Sequence, residues 1–228
     1  MTEKTESKLE HVESVVNSLK EITTIIVGLA LTNTIIQFLV VGATVRVISE
    51  MSMESTIIFA LLLINMVRFY HGNFRHLDVT YCCGSVEDSE SGSIKQHPRG
   101  EKVPIDFFFI LTESLMLSGI SFYQGKLTYF FYGFVALLAV DVTWFGLTFL
   151  AGRFVPSKEV LVHQRNWAIN NTIAIVLLLL GLSFLDRLPQ SAPPYVLSAI
   201  LFANTLVDYR INWSLYFPPF SKKEVRLQ

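Results

Sequence analysis

Six long apolar stretches divide this chain of 228 residues and constrain its fold strongly. Each stretch is close to the ~20 residues with which an α-helix crosses the hydrocarbon core of a bilayer. Within lipid the backbone satisfies its own hydrogen bonds only as a helix or a closed barrel, and these stretches are continuous rather than alternating. We therefore predict an all-α polytopic membrane protein with six transmembrane helices, at about 22–41, 56–70, 105–123, 127–150, 167–185 and 194–213.

The composition agrees with a membrane protein. Hydrophobic residues make up 51% of the chain and charged residues only 16%, whereas a soluble domain carries about 25% charged residues. The formal net charge of −1 gives no indication of nucleic-acid binding. We expect the lipid bilayer as a partner, with no nucleic acid and no cofactor. The predicted membrane domain covers 22–217, between a cytoplasmic amphipathic N-terminal segment at 1–21 and a cytoplasmic tail at 218–228.

Lysine and arginine alternate in number along the gaps between the stretches, which predicts the topology. With Arg68 counted in the gap that it borders and Arg210 in the tail, the seven flanking regions contain 3, 1, 5, 1, 3, 1 and 4 Lys plus Arg. Cytoplasmic loops of membrane proteins carry the positive excess. The pattern therefore predicts cytoplasmic N and C termini, three helical hairpins with short outer turns, and a multi-pass location in the inner or plasma membrane.

Two cytoplasmic segments are candidate contact surfaces for a protein partner. The loop at 72–104 contains an acidic and serine-rich run at 87–92, which is typical of a flexible solvated segment. The segment at 1–21 has apolar residues at helical spacing, which predicts that the first helix extends into the cytoplasm with one apolar face. We also expect a homo-oligomer. The apolar residues of this face are Leu9, Val12, Val16 and Leu19.

Acids inside the predicted spans are the first candidates for a functional role. Glu113 lies near the middle of the third span, and Asp141 lies slightly inside the middle of the fourth. An ionised carboxylate in lipid costs several kcal/mol unless it faces water, a partner or the bundle interior. Two roles remain open, because such groups either line a transport path or only join helices by hydrogen bonds. The predicted polar path consists of Asn33, Gln37, Glu113, Asp141 and Asn204.

A second group of charged residues lies at the cytoplasmic ends of the second and sixth spans. Arg68 and Asp208 are placed so that they can pair, which would close an internal gate or leave a contact for an anion. Arg210 belongs to the same group. The alternative is an ordinary interfacial role, because long charged side chains near a helix end reach the membrane surface.

Two histidines are the candidates for metal chemistry. His71 and His76 resemble one histidine box of the membrane di-iron enzymes, and the resemblance implies iron ligands at the cytoplasmic face. Those enzymes use several such boxes, whereas this chain has 5 histidines in all. No nucleophile elbow, phosphate-binding glycine loop or zinc-protease motif accompanies them, which speaks against an enzyme.

Three functions follow from these patterns. An ion or small-solute channel or transporter is favoured, because the intramembrane acids suit protons or cations. The first alternative is a membrane-anchored sensor or effector that a cytoplasmic partner or signal controls through 1–21 and 72–104. The second alternative is a membrane metalloenzyme with cytoplasmic histidines.

Overall fold

A computed structural model describes residues 3–41, 44–45, 52–82, 103–150, 158–187, 189 and 192–217. Most of these residues are helical, and the remainder form short turns and two strands of two residues each, β1 (Val40–Val41) and β2 (Thr44–Val45), which pair antiparallel after the first helix. The helices are α1 (Glu3–Leu39), α2 (Met53–Leu77), α3 (Val103–Ser121), α4 (Leu127–Leu150), α5 (Lys158–Ser183), α6 (Ala192–Ile211) and α7 (Trp213–Tyr216), with a π-helical turn at Asp78–Cys82 and a 3-10 turn at Leu185–Arg187.

Five of the described helices are long and apolar enough to cross a membrane, as expected of an α-helical membrane protein. The sixth long helix, α6, has 20 residues but is not among the five. It begins with two prolines and carries Asn204, Asp208 and Arg210. The five are His11–Leu39, Met53–Tyr81, Val103–Ser121, Leu127–Phe149 and Val162–Ser183.

The six long helices form a closed ring in the order α1, α3, α4, α5, α6, α2, in which each helix packs against the next. Helices that are consecutive in the chain run antiparallel. Asp106 near the start of α3 meets Trp144 near the end of α4, and Asn170 of α5 meets Asn204 of α6. One end of the ring contains the residues around Asp78, Asp106 and Asn212. We call this end the polar half.

The opposite end, which we call the apolar half, is packed with hydrocarbon side chains. Phe130, Phe131 and Phe134 of α4 are completely buried there. Small residues bring the helices close together, because a Cβ on Gly133 would lie 2.7 Å from Cγ1 of Ile120. Leucines from four further helices complete this cluster: Leu62, Leu117, Leu178 and Leu201.

Helix α2, which carries the candidate residues Arg68, His71 and His76, starts and ends differently from its sequence prediction. Its N-terminus is capped by Ser52, whose hydroxyl accepts a hydrogen bond from the Ser55 amide at 3.1 Å. The sequence predicts a loop from residue 72, but the chain stays helical to Cys82. The reason is burial, because His76 and Leu77 pack inside the bundle.

The other predicted cytoplasmic segments are described in part. The first helix starts at Glu3 and continues without a break through 1–21 into the bundle. Val16 and Leu19 are buried against α3 and the end of α2. Residues 83–102 of the predicted loop and 218–228 of the predicted tail lie outside the described residues, and 103–104 begin α3.

Candidate functional site

Arg68 is the centre of a buried set of hydrogen-bonded side chains in the polar half, which we call the polar network. Its side chain is held by two other helices, and the residue is only 2% exposed. Nε donates to Oδ2 of Asp208 at 2.7 Å, and Nη2 donates to Oδ1 of Asn171 at 2.7 Å. Nη1 donates to Oδ1 of Asn204. The pair expected between Arg68 and Asp208 is thus present, and each guanidinium nitrogen already has a partner.

Asp208 extends the network towards the short helix α7. Its Oδ2 also accepts from the Tyr216 hydroxyl at 2.7 Å, and its Oδ1 accepts from Nδ2 of Asn212 at 2.7 Å. Burial, together with the negative charge of Asp208, holds the pKa of Tyr216 well above its ordinary value. Tyr216 therefore stays a hydrogen-bond donor, and it fixes α7 against the bundle.

Asn171 links Arg68 to the carboxyl group in α4. While its Oδ1 accepts from Arg68, its Nδ2 donates to Oδ2 of Asp141. The neighbouring Asn170 donates through Nδ2 to the backbone carbonyl of Asn204 at 2.8 Å. Adjacent asparagines of α5 therefore join α4 and α6 to the same guanidinium.

Glu113 lies in α3, next to α2, and is completely buried. Its Oε2 accepts from Nδ2 of Asn73 at 2.9 Å. Its second oxygen, Oε1, is buried without a hydrogen-bond partner among the described residues. A buried polar atom in this state costs free energy, so the position is suited to a proton or a bound ligand.

A third carboxyl group, Asp106, is satisfied by its neighbours. Its Oδ1 accepts from Nε1 of Trp144 at 2.9 Å, and its Oδ2 accepts from the Tyr81 hydroxyl at 2.7 Å. Nε2 of His76 lies 3.2 Å from the same Oδ2. With partners from α2, the following π-helical turn and α4, Asp106 fastens the polar half together.

Two small cavities lie in this half, and Asp141 and Trp167 line both of them. The first has a volume of about 20 Å³, which is room for one or two water molecules. The second, of about 10 Å³, lies between α4 and α5. The first cavity is also lined by Arg68, Phe69, Gly72, Asn73, Asp208 and Tyr216.

The structure brings together only part of the predicted polar path. Glu113, Asp141 and Asn204 lie in or beside the polar network. Asn33 instead donates to Oγ of Ser121 at 2.6 Å, at the far end of α3, and Gln37 is exposed. In the described residues the apolar half separates these two from the network. Of the predicted gate group, Arg210 is exposed on α6.

The two histidines proposed as metal ligands have different surroundings. The ring of His71 lies 5.0 Å from the ring of Tyr216, centre to centre, whereas His76 faces Asp106. Within the described ranges, no three His, Cys, Asp or Glu residues are grouped to hold a metal ion.

Several residues of the site were missed by the sequence analysis. Asn73 lies in the predicted loop at 72–104, and Asp106 lies at the edge of the third predicted span at 105–123. Tyr216 lies beyond the sixth predicted span and is not among the predicted site residues. One signal was available, because Asn170 and Asn171 stand side by side inside an otherwise apolar stretch.

Comparisons of this chain with known protein families, with curated proteins and with solved structures give no match.

Proposed function

We propose that this chain is a multi-pass membrane transporter or channel for protons or small cations, and that the polar network is its substrate site. The observation that carries the proposal is the excess of acids over bases in the described interior. Three buried carboxyl groups, those of Asp106, Glu113 and Asp208, lie there with the half-buried carboxyl group of Asp141, around one guanidinium and one imidazole, those of Arg68 and His76.

The charge balance of this interior favours a cationic substrate over an anion. Arg68 forms an ion pair with Asp208, and His76 faces Asp106. Glu113 and Asp141 have amide donors but no ion-pair partner among the described residues. Because an uncompensated carboxylate inside a membrane costs several kcal/mol, protons or a cation neutralise them. Each nitrogen of the Arg68 guanidinium already donates to an acceptor within the network.

The packed side chains of the apolar half close such a path at one end. Completely buried phenylalanine and leucine side chains fill this half in the described residues, so a cation that reaches the network has no polar route beyond it. A transporter that opens to one side at a time has such a closed side. We therefore favour a transporter, or a channel in a closed state.

The finer architecture belongs to the same proposal. We infer six spans arranged as three hairpins in an inner or plasma membrane, with both termini in the cytoplasm. The lysine and arginine alternation and the antiparallel packing of consecutive helices support it. The polar half then faces the cytoplasm. We further propose a homo-oligomer, which mass measurement in nanodiscs tests. Reporter fusions after Gln124 test the topology, because a cytoplasmic signal there contradicts six spans.

Flux into proteoliposomes tests the proposed activity. Vesicles that contain the purified chain and a dye sensitive to the ion under test are given a proton, sodium, potassium or ammonium gradient, and we expect faster dissipation than in protein-free vesicles. Glu113→Gln keeps the shape and removes the charge, so we expect the rate to fall by about tenfold or more. Glu54→Gln is the matched control, because Glu54 is exposed at the start of α2.

Two outcomes would contradict the proposal. One is the absence of flux for every gradient with correctly folded protein. The other is a wild-type rate in both Glu113→Gln and Asp141→Asn, which would make these acids structural.

A sensor or effector role is the second candidate, and one observation favours it. The first helix has 37 residues, or about 55 Å at the α-helical rise, which exceeds the hydrocarbon core of about 30 Å. Its Lys20 forms an ion pair with Asp78 at the end of α2. A partner that binds the N-terminal part of α1 is therefore connected, through α1 and this ion pair, to the helix that carries Arg68. The described residues offer no comparable support for a metalloenzyme.

A further inference from the structure

The cavity between α4 and α5 is lined by both aromatic and polar side chains. Its volume of about 10 Å³ suits one particle of about the size of a water molecule. Three of the lining side chains are aromatic, and the other two end in oxygen-bearing groups. The five lining residues are Asp141, Trp144, Phe145, Gln164 and Trp167.

Gln164 supplies the observation that points to a ligand. The residue is 6% exposed, and its carbonyl oxygen Oε1 is buried without a hydrogen-bond partner among the described residues. An unpaired buried acceptor costs free energy until a donor or a cation reaches it. Because Gln164 lines this cavity, a ligand in the cavity is within reach of its side chain.

Asp141 supplies the charge. Its Oδ2 accepts from Asn171, which in turn accepts from Arg68. The charge of Arg68 is already paired with Asp208, at a distance of 2.7 Å between Nε and Oδ2. One carboxylate therefore borders the cavity without an ion-pair partner among the described residues.

The aromatic walls favour a cation as the ligand. Indole and phenyl faces carry negative charge density that attracts ammonium and alkali cations. The one polar atom of the Trp144 ring is occupied, because its Nε1 donates to Asp106 at 2.9 Å. An anion in this cavity would lie against the Asp141 carboxylate and be repelled.

We propose that Asp141 and Gln164, enclosed by the three aromatic rings, bind one small monovalent cation of the ammonium or alkali-metal type. This assignment rests on the proposed function and deepens it, since it names the site and the class of cation. One carboxylate balances one positive charge, and the volume excludes larger organic cations. Because Asp141 also lines the cavity beside Arg68, the bound cation is adjacent to the polar network.

The test measures binding to the full chain in detergent, independently of flux. Trp144 and Trp167 are two of the 3 tryptophans, so a Trp213→Phe background makes tryptophan fluorescence report on this cavity. Ammonium, sodium and potassium chloride are titrated against choline chloride at equal ionic strength. We expect a saturable fluorescence change with at least one small cation, and the lack of any change with all three overturns the proposal.

Variants of the two oxygen-bearing residues locate the response. We expect Asp141→Asn and Gln164→Leu each to weaken binding by about tenfold or more, because each removes a contact to the cation. Gln164→Glu adds a second carboxylate and is expected to tighten binding. Asp78→Asn and Gln124→Leu are matched controls outside the cavity. Should Asp141→Asn fail to fold, the opposite effects of the two Gln164 substitutions still decide.

The outcomes separate this site from the proposed function. Wild-type affinity in both Asp141→Asn and Gln164→Leu overturns the site even if the protein conducts cations. Saturable binding that these variants abolish, without flux in vesicles, upholds the site and rejects transport.

Discussion

In the apolar half three phenylalanines of α4 are completely buried among aliphatic side chains, whereas in the polar half one guanidinium is hydrogen-bonded to side chains of two other helices. The first kind of contact depends on volume, and another apolar side chain of similar size can replace it. The second kind depends on named atoms at fixed distances. The comparison teaches that the polar half fixes which helices are neighbours, and the apolar half fixes how closely they pack.

The lipid surroundings sharpen this difference. Between helices in a bilayer the hydrophobic effect gives little drive for association, because the lipid chains are as apolar as leucine. Packing in the apolar half therefore gains mainly dispersion energy. In the polar half, separating the helices would leave Arg68 and Asp208 unpaired in a medium that solvates them poorly. A single substitution in the polar half should consequently lower the free energy of unfolding more than a single substitution in the apolar half.

Removal of Arg68 is expected to have the largest effect. Arg68→Met leaves Asp208 buried without its cation, and loss of one partner of a buried ion pair costs about 3–5 kcal/mol. Thermal unfolding and the folded yield in detergent measure the loss. The double variant Arg68→Met with Asp208→Leu should recover part of the stability. Arg210→Met is the matched control, because Arg210 is exposed. An unchanged unfolding midpoint in Arg68→Met would remove the basis of the comparison.

Phe134→Ala tests the other half and should have the next largest effect. Truncation of a fully buried phenylalanine leaves a cavity and costs about 3 kcal/mol. The same thermal unfolding assay applies. Phe149→Ala on the same helix is the control, because Phe149 is 61% exposed. If the halves are separate, cation-induced fluorescence should persist in folded Phe134→Ala. If folded Phe134→Ala instead lost the cation-induced fluorescence change, the two halves would act together.

The apolar spans and the pair between Arg68 and Asp208 could be predicted from the sequence, whereas most other contacts of the polar network could not, for a physical reason. Apolar stretches are local properties of the chain, and five of the six predicted spans correspond to helices long and apolar enough to cross a membrane. The network also joins Arg68 to Asn171 and Asn204, which lie 103 and 136 positions away. Partners at such separation are set by the packing of the ring, which local periodicity does not reveal.

The end of α2 illustrates the same limit. Residues 72–82 look like a loop because they contain Arg75, His76 and Asp78. In the structure these polar groups have partners on other elements, since Nε of Arg75 donates to the Leu215 carbonyl at 3.0 Å. The charged residues indicate a loop in the sequence, whereas in the structure they belong to a helix end that is packed against neighbouring elements. Glu113 and Asp141 could be singled out from sequence because lipid excludes charge, but their partners could not.

Tyr216→Phe is expected to have an intermediate effect that depends on pH. The variant loses a hydrogen bond to a carboxylate, at a cost of about 2 kcal/mol. Since the pKa of Tyr216 is raised in the folded protein, this contribution is complete below about pH 10, where an unfolded tyrosine still holds its proton. It is lost as the pH rises through the folded pKa. The difference in unfolding midpoint between wild type and variant should therefore be constant below about pH 10 and become smaller as the pH rises above it.

Tyr195→Phe is the matched control for this prediction, because Tyr195 is 44% exposed on α6. A constant difference between wild type and Tyr216→Phe over the whole pH range would mean that the Asp208 contact does not hold the proton on Tyr216.

The smallest effect on stability is expected where the first helix meets the polar half. The side chains of Lys20 and Asp78 are 20% and 36% exposed, so water screens their ion pair, and Lys20→Met should cost about 0.5 kcal/mol or less. Unfolding midpoints at low and high salt measure this, with Lys126→Met at the opposite end as control. The same variant separates the two candidate functions. A transporter should keep its flux, because Lys20 lies outside the network. A sensor that receives its signal through α1 should lose its response, because this ion pair joins α1 to the helix that carries Arg68.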